Sequence, residues 1–173
     1  MSTELILKLQ HPGLESLRIL KVTHGPNGRK LSKPLILTIP SAQSKGEENF
    51  QHWVIQALSC KMPALVEFTL RSQAATELAK RLMRSNSGSQ ATLYQYLYGV
   101  YRYSAWIQKS PDELIQECLE PEGESPAKVL SSYVKALDEF VGELQASGLA
   151  PGTINNHVKG VKALYRANGL RVE

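Results

Sequence analysis

Short apolar runs alternate with turn-forming residues over positions 1–40. The runs 17–23 and 35–39 are rich in Leu, Ile and Val, and the segment 24–30 between them carries Gly, Pro and Asn and ends in Arg29 and Lys30. This pattern predicts a β-hairpin with a basic loop. A partly disordered leader is the alternative, because a lone hairpin is only marginally stable in water.

From residue 44 the apolar positions change to helical spacing. Ser44 and Glu47 have the spacing of a capping box, and apolar residues then recur every three or four positions. This pattern predicts a helix that begins after Ser44 and ends at about Lys61. Pro63 is expected to stop it.

The chain then leads to its clearest linker. Residues 65–70 are predicted to form a strand or an extended link, and a further helix, capped by a serine, is predicted over 72–84. The sequence Ser-Asn-Ser-Gly-Ser at 85–89 is wholly small and polar. The predicted division is therefore a mixed α/β segment at 1–86 and a helical domain at 87–173.

Four helices with clear start and stop signals are predicted after the linker. Ser110 and Ser125 are each followed by proline, a combination that starts helices. Gly148 ends the helix that Ser125 starts, and Gly169 ends the last helix. The predicted helices cover about 89–109, 110–119, 125–147 and 151–168. The expected fold is mainly α, a four-helix domain with short loops preceded by the smaller mixed segment.

Composition and cysteine usage exclude several classes of protein. The 173 residues contain no apolar stretch approaching the ~20 residues of a membrane helix, and the first eight residues have no apolar signal-peptide core. The chain is therefore expected to be cytoplasmic, with no membrane partner. Cys60 and Cys118 are far apart in sequence, so both are interpreted as small buried hydrophobic residues rather than as a disulfide or a zinc site.

The sequence contains few catalytic patterns. The histidines are scattered, and neither a His-Glu-x-x-His pattern nor a phosphate-binding glycine loop is present. The acidic pairs 112–113 and 138–139 are interpreted as a helix-capping pair and a solvated pair. The sequence therefore predicts no self-contained active site, no metal and no cofactor.

The last predicted helix carries the strongest charge pattern. The formal net charge of the chain is +4, and residues 150–172 include four cations and no acid. Asn155, Lys159, Lys162 and Arg166 fall on one stripe, about 100° from the apolar stripe. Together with Thr153, Asn156 and His157 near the start of the helix, this face suits contact with phosphates and base edges. A solvated surface helix is the alternative.

Tyrosines are concentrated in the first helix of the predicted helical domain. Five of the seven lie between residues 94 and 103, too many for one buried stripe. Tyr94, Tyr98 and Tyr101 are therefore expected to be partly exposed on its flanks, in packing roles.

Two motifs resemble a known family. Thr92, Tyr96, Val100 and Trp106 follow a Thr-x3-Tyr-x3-apolar-x5-Trp pattern, and Gly-Leu-Ala-Pro-Gly-Thr-Ile at 148–154 precedes a run of apolar positions at helical spacing. In this order the motifs resemble the N-terminal core-binding domain of tyrosine recombinases, the phage-integrase family. The resemblance covers about 89–169. Ala150 departs from it, since the family often has a capping Ser or Thr there.

The resemblance implies a DNA-binding role in DNA integration and site-specific recombination. It implies a helical domain that clamps one face of double-stranded DNA opposite a separate catalytic domain, with its first and last helices near the major groove and with other recombinase protomers as partners on nucleoid or host-cell DNA. By helix face, the implied contacts are Thr92, Gln95, Thr153, Asn155, Asn156, Lys159, Lys162 and Arg166.

The same resemblance implies that this chain is not itself an enzyme. The nucleophilic tyrosine of the family lies in the domain that follows, so none of the seven tyrosines here is expected to act as one. Two other hypotheses remain. One is a non-catalytic protein-interaction module that uses the tyrosine-rich and acidic helical surfaces. The other is a small enzyme with a site between the two halves, although no group of residues in the sequence supports it.

Overall fold

The computed structural model describes residues 3–11, 14–22, 29–59, 61–85 and 89–172, with side chains from Ile36 onward. The chain divides into two compact units, Met1–Arg71 and Ser72–Glu173. Seven α-helices lie within the described residues, so the expectation of a mainly α fold is confirmed.

The first unit contains a three-stranded antiparallel sheet in the order β1-β2-β3. Its strands are β1 (Thr3–His11), β2 (Leu14–Val22) and β3 (Arg29–Pro40). The predicted pairing of the two strands is confirmed, since Leu17 pairs with Leu37. The basic loop was wrong, because Arg29 and Lys30 lie in β3 and pair with β2. Strand β1 was not predicted, although leucines at positions 5, 7 and 9 alternate with a strand's period of two. Residues 23–28, where the turn was predicted, lie outside the described residues.

Strand β3 contributes to the core of this unit through alternate side chains. Leu37 and Ile39 are buried, whereas Ile36 is 64% exposed. The backbone N–H of Thr38 donates a hydrogen bond of 2.7 Å to the Glu67 carboxylate. A helix side chain therefore occupies one of the backbone donors of β3, and an occupied donor cannot pair with a further strand.

Two helices complete the first unit. Helix α1 (Lys45–Ser59) starts as predicted, with the Glu47 N–H donating to the Ser44 hydroxyl at 3.1 Å. Residues 65–70, predicted as a strand or an extended link, instead form α2 (Ala64–Leu70). Leu65, Val66, Thr69 and Leu70 are its buried residues, a spacing that places them on one helix face. The prediction was wrong because so short an apolar run does not distinguish a strand from a buried helix.

The second unit contains five helices, one more than predicted. They are α3 (Gln73–Ser85), α4 (Gln90–Ile107), α5 (Pro111–Leu119), α6 (Pro126–Ala146) and α7 (Pro151–Ala167). Ser110 and Ser125 cap α5 and α6 as predicted, and α5 has a complete capping box.

The additional helix is α3, which the sequence analysis placed in the N-terminal segment. It packs against α4, α5 and α7. The Ala74 N–H donates to the Asp112 carboxylate at 2.9 Å, and the Asn168 amide donates to the Ala74 carbonyl at 3.1 Å. The units therefore divide at 71/72 and not near the polar linker, of which residues 86–88 lie outside the described part.

Candidate nucleic-acid interface

Helices α4 and α7 carry all the predicted DNA-contacting residues, and they pack directly against each other. Their crossing is made by two glycines. A Cβ atom on Gly99 would stand 2.6 Å from the Cα atom of His157, and one on Gly160 would overlap the backbone of Tyr96. Residue 96 of α4 contacts residue 160 of α7, and residue 99 contacts residue 157. The two helices therefore run antiparallel.

The basic stripe of α7 lies on its outer surface. Asn155, Lys159 and Arg166 are exposed and Lys162 is half-buried, while Ile154, Val161, Leu164 and Tyr165 of the same helix are buried. None of the ion pairs within the described part of the chain involves these cations. Thr153 is also exposed and Asn156 is half-buried. The stripe therefore offers positive charge that no carboxylate of the described residues neutralises.

Arg166 also has a structural role. Its Nε donates to the Val172 carbonyl at 2.9 Å, and its own carbonyl accepts a hydrogen bond of 3.0 Å from the Arg81 guanidinium. Val172 is buried. Substitution of Arg166 would therefore disturb the segment that follows α7 as well as remove a charge.

The two predicted contacts on α4 differ in environment. Gln95 is exposed. Thr92 is half-buried, and its hydroxyl lies 3.1 Å from the hydroxyl of Ser89, which caps α4 by accepting from the Thr92 N–H. Because the helices are antiparallel, both residues lie beside the second half of α7 rather than beside Thr153.

The structure brings the candidates onto neighbouring helices but not onto one flat face. Successive helix residues are about 100° apart, so Lys159 points about 100° and Lys162 about 160° away from the direction of Gly160, which contacts α4. Asn156 lies only about 40° from that direction. Asn156 therefore lies on the flank of α7 between the contact with α4 and the cationic stripe.

His157 differs from its sequence interpretation, because the structure buries it. It lies three residues after Ile154 and four before Val161, on the apolar face of α7. The Tyr98 ring meets it edge-on at a centroid distance of 5.4 Å. Burial lowers the pKa of His157, and the charge of nearby Arg102 lowers that pKa further.

Arg102 is a further candidate contact, which was not predicted from the sequence. It lies seven residues after Gln95 and therefore on the same side of α4. It is half-buried, and it takes part in none of the ion pairs found among the described residues. The spacing from Gln95 was the signal that could have found it.

The residues that carry the family resemblance act mainly in packing. Val100 is fully buried, and the Trp106 ring lies 5.4 Å from the ring of Phe140 on α6. Tyr96 supplies the backbone that Gly160 meets. Tyr94, Tyr98 and Tyr101 are half-buried, as expected, and Tyr94 stacks on Tyr98 at 5.7 Å.

A second surface feature is an open acidic groove of about 820 Å³ between α5 and α6. Lys109 donates to both Glu117 carboxylate oxygens, at 2.7 and 2.9 Å, and to the Tyr133 hydroxyl at 3.0 Å. The Tyr133 hydroxyl donates to Glu117 in turn. The other carboxylates in the lining are those of Glu120, Glu122 and Glu124.

Cys118 is fully buried, as predicted, and burial raises the pKa of its thiol to about 11. Cys60 lies outside the described residues.

No group of three or more His, Cys, Asp or Glu side chains in the described part could hold a metal ion. No helix in that part is long and apolar enough to cross a membrane.

Neither protein-family models nor curated proteins nor solved structures match this chain.

Proposed function

We propose that the helical unit binds double-stranded DNA through α7, with α4 beside it, as the core-binding part of an integrase-like tyrosine recombinase would. The observation that carries the proposal is the outward stripe Asn155, Lys159, Lys162 and Arg166, whose cations have no acidic partner among the described residues. Phosphates would supply the missing negative charge, and release of their counterions would drive binding.

The residues of this surface divide into two roles. Lys159, Lys162 and Arg102 neutralise phosphates, which positions the protein without reading sequence. Asn155, Asn156 and Thr153 supply amide and hydroxyl groups that suit base edges. Few such groups are present, so sequence discrimination by this unit is modest. Strand cleavage and joining in DNA integration belong to a separate catalytic domain.

The direct test is fluorescence anisotropy of a labelled duplex, titrated with the full chain over a series of salt concentrations. The test variant is Lys159→Ala with Lys162→Ala, which leaves the structural contacts of Arg166 in place. Each lost phosphate contact lowers the slope of log affinity against log salt by about 0.9, so we expect a reduction of about two. Circular dichroism verifies that helicity is unchanged.

A matched control removes the same charge from another helix. Lys128→Ala with Lys135→Ala deletes two exposed lysines of α6. We expect this protein to keep the wild-type slope. If both double variants lower the salt slope equally, binding depends on the net charge of the protein and not on α7. If the wild type does not bind the duplex at low salt, the proposal is overturned.

The acidic groove favours a second candidate function, a non-catalytic protein-interaction module. Its carboxylates lie beside apolar side chains of Ile107, Val129 and Ala136, a mixture that suits a basic segment of a protein partner. If the duplex does not bind, capture of a lysine-rich peptide by the wild type, and its loss in Glu120→Gln with Glu122→Gln, would support this function instead.

A further inference from the structure

The imidazole ring of His157 is buried and makes no hydrogen bond to the described residues. Its exposed fraction is 3%, and neither ring nitrogen has a partner among the described residues. Buried polar groups are normally hydrogen-bonded, because an unmade bond leaves the cost of desolvation uncompensated. A protonated ring here would add a buried charge to that cost.

Neighbouring groups on α4 enclose the His157 ring. The His157 backbone lies against Gly99, and the Tyr98 ring covers one side of the imidazole. Separation of α4 and α7 would give an imidazolium access to water. That movement would break the glycine contacts at the crossing.

The charged surroundings also oppose protonation. From α4, the phenol of Tyr98 and the guanidinium of Arg102 face the ring, and Arg102 lowers its pKa. Helices α3 and α6 also pack on α7, and none of the ion pairs among the described residues involves His157. No described carboxylate is therefore placed to stabilise an imidazolium.

We propose that His157 makes the crossing of α4 and α7 a proton-sensitive switch, closed while the ring is neutral and opened when the ring is protonated. The proposal goes beyond DNA binding, because its effect is measured on the fold itself. A loss of DNA binding over the same pH range would be a further consequence, resting on the proposed function, and is not used as the test.

The direction of the pH effect follows from linkage. The folded protein binds the proton at a lower pH than the unfolded chain, whose histidine titrates near 6.5. The neutral ring therefore makes its full contribution to the free energy of unfolding above pH 6.5, and this contribution is lost as the pH falls below 6.5. With one proton taken up on unfolding, the folding equilibrium constant falls by up to about tenfold per pH unit.

The first experiment is urea unfolding of the full chain between about pH 5 and 8. His157→Gln removes the titrating ring, and His52→Gln, a half-buried histidine in α1, is the matched control. We expect wild type and His52→Gln to lose stability in parallel below about pH 6.5, with a shallower loss in His157→Gln. A wild-type slope in His157→Gln would overturn the proposal.

A second measurement does not require that variant to fold. Replacing His11, His24 and His52 by glutamine leaves His157 as the only imidazole, and NMR can follow its ring through a pH titration. We expect a midpoint below about 6.5, accompanied by the onset of unfolding, and a higher midpoint when Arg102→Gln is added. A ring that titrates at or above 6.5 in the folded protein would overturn the proposal.

Discussion

Gly99 on α4 lies directly against the backbone of His157 on α7, so that a Cβ atom at position 99 would stand 2.6 Å from the His157 Cα atom. Gly160 makes the reciprocal contact with the backbone of Tyr96. Backbone atoms cannot move away from an added Cβ atom as easily as the end of a flexible side chain can. The close approach of the two helices therefore depends on both glycines.

We expect Gly99→Ala and Gly160→Ala each to lower the free energy of unfolding by about 1–3 kcal/mol, the usual cost of overpacking. Urea unfolding measures the change. Gly142 is the control, because it lies inside α6 and a Cβ atom there would meet no neighbouring atom within 4 Å. Gly142→Ala is expected to raise the free energy of unfolding by about 0.5–1 kcal/mol. A Gly99→Ala protein as stable as the wild type would contradict the tight crossing.

The start of α7 offers a stabilising substitution. Ala150 is its N-cap residue, with φ −62° and ψ 140°, and it makes no side-chain cap hydrogen bond. Ser125 has similar dihedral angles at the start of α6 and accepts a hydrogen bond of 3.3 Å from the Lys128 N–H. We expect Ala150→Ser to raise the free energy of unfolding by about 1 kcal/mol and Ser125→Ala to lower it by a similar amount. Thermal unfolding tests both, and no gain from Ala150→Ser would show that a serine there cannot reach its donor.

The helix boundaries of the second unit could be predicted from sequence because their causes are local. Ser110 and Ser125, each followed by proline, act on backbone donors within the next turn. The position of α3 could not be predicted, because it depends on contacts between distant residues. Asn168 bonds to Ala74 across 94 positions, and Asp112 bonds to it across 38.

The candidate site shows the same limit. Helical periodicity alone placed Lys159 and Lys162 outside the core. Periodicity could not show that α7 meets α4 through Gly160, and so could not show which side of α7 faces α4. His157 was grouped with the polar start of α7, although its spacing from Ile154 also fits the apolar face on which the structure places it.

The contact between Lys109 and Glu117 predicts a dependence of stability on pH. Hydrogen bonds from Lys109, and next from Tyr133, lower the pKa of Glu117 below its usual 4.5. The carboxylate therefore stabilises the fold above pH 4.5, and this contribution is lost as the pH falls through the lowered value. Both partners are partly exposed, so we expect Glu117→Gln to lower the free energy of unfolding by only about 1 kcal/mol at neutral pH.

Urea unfolding at several pH values checks this expectation. The difference between wild type and Glu117→Gln should shrink as the pH falls below 4.5. Glu124→Gln, which removes the exposed pair with Lys128, serves as the control and should show little change at any pH. A constant difference at all pH values would assign the effect of Glu117 to packing instead of charge.

Arg102 decides whether α4 takes part in the proposed DNA contact. Its guanidinium lies beside α7 and forms no ion pair with the described residues, and Gln95 lies on the same side of the helix two turns earlier. If a phosphate occupies this position, Arg102→Gln should reduce the salt slope of duplex binding by about one. Arg84→Gln, at the exposed end of α3, should leave the slope unchanged. The lysine variant removes charge from α7, and Arg102→Gln removes charge from α4. If the salt slope of duplex binding falls in the lysine variant but not in Arg102→Gln, the DNA interface is confined to α7.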